Sequence, residues 1–165
     1  MKSTRRTATQ VAIISIAFSA YSMPAIGQNR LKNNLLPFPA DLQAATNTAT
    51  RDGQPLVLMV SLPGCPWCEL LRRNYLTPMR AEGLPAFEFM IHDRSSAVRD
   101  FQGKSSTPET LARLWKVTNT PTVLFFGRGG EEITARIEGV ASADFIGAVI
   151  DERIATAREH IKAAR

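Results

Sequence analysis

The chain has 165 residues, with 20 Lys and Arg against 15 Asp and Glu and a formal charge of +5. Its length suits one domain with one core. Lys2, Arg5 and Arg6 place part of the positive charge in a short N-terminal segment, so the basic balance does not demand a nucleic-acid or polyanion partner.

Those basic residues precede an apolar stretch from Val11 to Tyr21, and Pro24 breaks any helix before Ala25-Ile26-Gly27. This is the layout of a secretory signal over residues 1–27: a basic start, a short apolar run, and small residues at −1 and −3 of a cut after Gly27. A cut after Ser22 and retention as an anchor are the other readings. The run is shorter than the roughly 20 apolar residues of a membrane span, so no stable span is expected after cleavage. Arg5-Arg6 resembles a twin-arginine pair, but Thr7-Ala8-Thr9 lacks the apolar residues that would follow it. An ordinary export signal points to the periplasm, where disulfides persist.

Residues 28–38 carry Asn33-Asn34, Pro37 and no period, and are expected as an irregular lead-in. Leu42, Ala45 and Ala49 recur at helical spacing from Ala40 to Arg51, and Asp52-Gly53 ends that helix. Residues 28–53 are therefore a lead-in and helix, and residues 54–165 the main domain. Leu56 to Leu62 is a continuous apolar run between Pro55 and Pro63, as for a strand buried on both faces. A helix is predicted from Pro66 to Leu76, with Pro78 kinking or ending it. Ala86 to Ile91 reads as a second inner strand, whereas Asp93 to Ser106 offers little pattern.

Thr107-Pro108-Glu109 opens a helix with a side-chain cap, a first-turn proline and an acid. That helix is expected to turn Leu111, Leu114, Trp115 and Val117 inward. Thr122 to Phe126 is the next strand, Gly127 to Gly130 a turn, and Ile133 to Ile137 an alternating strand ending near Gly139. Ser142 and Asp144 should open a final helix through about Lys162, burying Phe145, Ile146, Val149, Ile150 and Ile154. The order is β-α-β-α-β-β-α after one extra N-terminal helix, an α/β arrangement without internal repeats.

Cys65-Pro66-Trp67-Cys68 holds both cysteines, after the first strand and at the start of a helix. The loop they close is too small to staple a framework. CxxC can be half of a zinc site, but tetrahedral zinc takes about four ligands and only His92 and His160 remain as soft donors. Covalent haem attachment needs a histidine where Glu69 stands. A reversible dithiol is the leading reading, with metal binding and inert cysteines as alternatives. Neither a cofactor nor a metal site is expected.

From Leu56 to about Ile154 the chain resembles thioredoxin, with CxxC at a strand-to-helix junction. Val117-Thr118-Asn119-Thr120-Pro121-Thr122-Val123-Leu124-Phe125-Phe126 resembles that family's cis-proline segment, Gly127 to Glu131 its following hairpin, and Gly139 its later glycine. The resemblance implies a thioredoxin-like fold, with a central mixed β-sheet flanked by helices, and thiol–disulfide exchange. Backbone N–H groups at a helix N-terminus stabilise a thiolate, so Cys65 is expected as the exposed nucleophile and Cys68 as the buried resolving thiol. Pro66 fits the first turn, and Trp67 either exposes its ring to substrate or packs on its own helix. By resemblance the Thr120–Pro121 bond is cis, Pro121 keeps metals from the sulfurs, and the Thr120 backbone faces an extended substrate. Gly64 either permits close backbone approach to Cys65 or serves the Pro63-Gly64 turn.

Cytosolic thioredoxin carries a buried acid in the strand before its first cysteine, and the corresponding position here is Met59. Glu69 either takes up part of its task or is a solvated carboxylate; His92 is assigned no catalytic role. The departures look closer to exported thioredoxin-like proteins, such as small periplasmic thioredoxins found with sulfur-oxidation systems. The stretch from Ile91 to Pro121 leaves no room for the large helical insertion of the strong periplasmic oxidants. The expected activity is disulfide exchange, more as reductant, by a monomer acting on protein disulfide or dithiol partners with an upstream redox donor. The alternative is a non-catalytic binding module, a copper chaperone or assembly factor in which the cysteines hold Cu(I).

Overall fold

A computed structural model of the chain describes residues 36–164. The export segment expected at residues 1–27, and residues 28–35 of the lead-in, lie outside the described residues.

The first helix, α1 (Leu42–Arg51), begins where Asp41 turns extended and its carboxylate accepts the Ala44 N–H at 2.8 Å. Ahead of it the lead-in is more ordered than expected. Leu36 is buried in the core, Phe38 packs on Phe89 with ring centroids 5.3 Å apart, and the Pro37 carbonyl accepts the Glu88 N–H. This segment covers a sheet edge through its backbone, a contact that leaves no side-chain period to read.

Strand β1 (Leu56–Ser61) is buried along its whole length. The next helix runs in three pieces: α2 (Pro66–Leu71), a π-helical turn (Arg72–Leu76) and α3 (Thr77–Ala81). The Thr77 N–H donates to the Arg72 carbonyl across the widened turn. Pro78 therefore enters as an early residue of α3, where its missing N–H costs little, and the helix continues past it. Strand β2 (Ala86–Met90) follows. The stretch without pattern holds a small antiparallel pair, β3 (Val98–Arg99) and β4 (Ser105–Ser106), which delivers Val98 and Phe101 to the core. Helix α4 (Pro108–Leu114), strands β5 (Thr122–Phe126) and β6 (Ile137–Glu138), and helix α5 (Ile146–Ala163) complete the fold.

The main sheet has the order β2-β1-β5-β6. β1 is parallel to β2 and antiparallel to β5, and β5 is antiparallel to β6, so the sheet is mixed. Alternation sends Leu56, Leu58 and Val60 to one face, where they pack with Leu42 of α1 and Leu111 of α4. Val57 and Met59 face the other way, with Leu71 of α2, Leu76 of the π turn and Ile150 of α5. The result is a sheet between two helical layers, as expected for a thioredoxin-like fold.

Other expectations are corrected. Leu114 is 69% exposed: with about 100° per residue, it lies well off the stripe of Pro108, Leu111 and Ala112. Phe145 is 70% exposed because α5 begins one residue later, and no side chain caps that start, so Ser142 and Asp144 do not open it. Ile133 to Ile137 is not a continuous strand: Glu132 makes an isolated bridge to Phe126, the Ile133 N–H donates to the Phe125 carbonyl at 3.0 Å, and regular pairing with β5 resumes only at Ile137–Glu138. There, Arg136 turns away to pair with Glu132 and to donate to the Trp115 carbonyl at 2.8 Å, closing the end of α4.

Candidate active site

β1 leads into Leu62-Pro63-Gly64-Cys65, a turn closed by the Cys65 N–H on the Leu62 carbonyl at 3.2 Å. Gly64 has φ +74, the conformation required at the third position of a type II turn, and Pro63 suits the second. Nothing lies within 4 Å of a Cβ placed on Gly64. The glycine thus meets the turn's need for a positive φ.

Cys65 is the extended N-cap of α2, Pro66 occupies the first turn, and the Cys65 Sγ accepts the Cys68 N–H at 3.2 Å. The two cysteines form a disulfide with Cα atoms 5.3 Å apart. Cys68 is fully buried and Cys65 partly so, whereas Pro66 and Trp67 face solvent, Trp67 at 46% exposure. Val60 pairs with Thr122 across β1 and β5, so Thr120 and Pro121 lie beside the end of β1 from which the cysteine turn departs. The Thr120–Pro121 peptide is cis. Its loop is held by the Thr122 hydroxyl on the Asn119 carbonyl and by the Gly139 N–H on the Pro121 carbonyl, both at 2.7 Å. Gly64, Cys65, Pro66, Trp67, Cys68, Thr120 and Pro121 are thus gathered at one end of the sheet.

Beneath them runs a polar network that sequence reasoning missed. Arg72 and Glu88 are both buried, and the guanidinium grips the carboxylate through two nitrogens, with Nε 2.9 Å from Oε2 and Nη2 on Oε1. The Ser61 hydroxyl, at the end of β1, donates to the same carboxylate at 2.5 Å. On the solvent side Arg72 Nη1 donates to Glu69 Oε1 at 2.5 Å, and Glu69 also pairs with Arg73 at 2.9 Å. Glu69 is thus an ion-pair partner on the rim. Hydrogen bonding to Glu88 raises the Arg72 pKa above its usual value, so the guanidinium stays charged. Met59, where the family resemblance would place an acid, is in register with Glu88 on the neighbouring strand. The available signals were a lone acid sharing the face of Ala86 and Met90, and an arginine one helical turn beyond Cys68.

His92 is exposed at the same end of the sheet, near Glu109, which pairs with Arg94 at 2.7 Å and Arg113 at 3.3 Å. Among the described residues, no group of three or more His, Cys, Asp and Glu side chains is arranged to hold a metal ion. No helix among them is long and apolar enough to cross a membrane.

Residues 42–154 match the family model of a thioredoxin-like domain. No curated protein matches the chain. Similar solved structures include oxidised thioredoxin O2 of Arabidopsis thaliana, 18% identical with a TM-score of 0.47, the match covering 70% of this chain and 93% of that one. A thioredoxin-fold protein of Helicobacter pylori is 17% identical with a TM-score of 0.48, over 81% and 95% of the two chains. The reduced periplasmic thioredoxin SoxS of Paracoccus pantotrophus is 20% identical with a TM-score of 0.40, over 63% and 99%. With the mixed sheet and CxxC pair in place and the family model spanning most of its length, the chain belongs to the thioredoxin-like family.

Proposed function

We propose that the protein is an exported thiol–disulfide oxidoreductase that reduces disulfides in protein partners. The observation that carries this reading is the asymmetry of the pair: Cys65 is a partly exposed N-cap, and Cys68 is fully buried one turn behind it. A thiolate at Cys65 would sit where helix N–H groups favour negative charge, with its pKa drawn below the roughly 8.5 of free cysteine. It attacks the partner's disulfide, and Cys68 then attacks Cys65 to release the reduced partner. Trp67 offers an apolar rim, and the Thr120 backbone beside the cis peptide offers hydrogen bonds to an extended substrate. Gly64 and Pro66 shape the turn and helix start that present Cys65.

The reductant direction is supported by the space between β2 and β5. It holds only a small strand pair and the 7-residue α4, where a strong oxidant would carry a larger helical insertion. Export is supported by the N-terminal layout of basic residues, apolar run and small residues before position 28. An upstream donor returns the pair to the dithiol.

The test is reduction of an insulin-type disulfide driven by dithiothreitol. Cys65→Ser is expected to bring the rate to background, and Cys68→Ser to accumulate mixed disulfides that mass spectrometry identifies. Stoichiometric Cu(I) binding by the pair without exchange activity would overturn the reading.

A further inference from the structure

The exchange steps above make no use of the buried Arg72–Glu88 pair, yet its position bears on Cys68. The Arg72 N–H donates to the Cys68 carbonyl, and both side chains are buried, Arg72 at 3% exposure. Residues so related stand one above the other on a helix, with Cβ atoms about 5–6 Å apart. From there the guanidinium reaches Glu88 on β2, and Glu88 accepts the Ser61 hydroxyl from β1. The turn that carries Cys68 is thereby tied to both β1 and β2. Removing an ion pair from water is costly, and an apolar pair of similar volume often serves stability as well or better. The apolar surroundings in this layer, Met59, Leu71, Leu76, Ile146 and Ile150, would accept such a pair. Stability alone does not explain the charges.

We propose that Arg72 and Glu88 are positioning residues of the dithiol: Arg72 holds a positive charge one helical turn beyond Cys68, and Glu88 fixes that guanidinium and offsets its field. The inference rests on the exchange reading. In the resolving step, Cys68 gives its proton to solvent and its thiolate attacks the Cys65 sulfur of a mixed disulfide. The Cys65–Cys68 bond forms, the bond from Cys65 to the partner's sulfur breaks, and the partner leaves as a thiolate. The groups around Arg72 are Glu88 from β2, the Ser61 hydroxyl from β1, and Glu69 and Arg73 from its own helix. The buried residues of α5 in this layer are apolar. Removing the Glu88 charge leaves Arg72 paired only with Glu69 at the solvent rim and favours the Cys68 thiolate, whereas removing the Arg72 charge leaves Glu88 and disfavours it. A pair with only a structural role would not produce opposite signs.

The experiment mixes the reduced full-length protein with 5,5′-dithiobis(2-nitrobenzoate) in a stopped-flow instrument over a range of pH. Attack by Cys65 releases the first nitrothiobenzoate. Attack by Cys68 on the mixed disulfide releases the second. For the second phase, Glu88→Gln is expected to lower the pH midpoint by about one unit and Arg72→Gln to raise it by about one unit. Arg72→Lys, which keeps the charge, should stay near the unsubstituted midpoint. Because either neutralised single variant can fail to fold, Arg72→Met with Glu88→Leu supplies a charge-balanced reference, expected within about half a unit of the unsubstituted protein. Shifts of the same sign in Glu88→Gln and Arg72→Gln would overturn the proposal. So would Arg72→Lys matching Arg72→Gln, or a displacement of more than about one unit in the double variant. A missing first phase in the unsubstituted protein would instead defeat the exchange reading itself.

Discussion

Glycines that look alike in the sequence meet different surroundings. Gly129 and Gly130 both have positive φ, but a Cβ on Gly129 meets nothing within 4 Å, whereas one on Gly130 would lie 2.1 Å from Phe101 Cγ. Phe101 cannot retreat easily, because it is wedged against Phe126 at 4.7 Å and Trp115 at 6.0 Å between ring centroids. Gly129→Ala should therefore cost about 1 kcal/mol for its backbone alone, and Gly130→Ala about 2–4 kcal/mol once overpacking is added. Urea unfolding of the two variants checks the difference. The cysteines were legible at this scale because spacing and chemistry alone mark them. Arg72 and Glu88 were not, since a charge on a helix face or within a short strand looks solvated until its partner arrives from 16 positions away.

Among the elements, those whose start is written in local chemistry were read well. Thr107 and Pro108 open α4 as expected, with the Thr107 hydroxyl accepting the Thr110 N–H at 3.3 Å. Continuous apolar runs gave β1 and β5. The misreadings fall where tertiary contacts override the pattern, as when Arg136 abandons the strand alternation to close α4. The helix starts offer a direct comparison. Asp41→Ala removes a 2.8 Å cap at α1 and should lower stability by about 1 kcal/mol. Ser142→Ala, at a residue that caps nothing at α5, should stay within about 0.5 kcal/mol. Denaturant midpoints at constant slope distinguish the two.

For the whole molecule, the acid limb of stability follows from carboxylates held by local bonds. Ser96 and Ser95 donate to Asp93 and hold its carboxyl well below the usual range, and hydrogen bonding from Arg94 lowers Glu109. Both folded values lie below the unfolded ones, so their stabilisation is present above the unfolded pKa and is lost as pH falls through the folded one. Melting temperature should therefore decline as pH drops below about 4, and Asp93→Asn should flatten that decline; thermal melts from pH 7 to 2 measure it. By itself the sequence determined the α/β order, the buried β1 and the dithiol at the head of a helix, because apolar runs, capping residues and CxxC spacing act within a few positions. Only the tertiary structure decided that residues 36–39 cover a sheet edge, that Phe101 blocks Gly130, and that Arg72 and Glu88 pair beneath Cys68. Those contacts join segments distant in the chain, and only the packed sheet brings them within bonding distance.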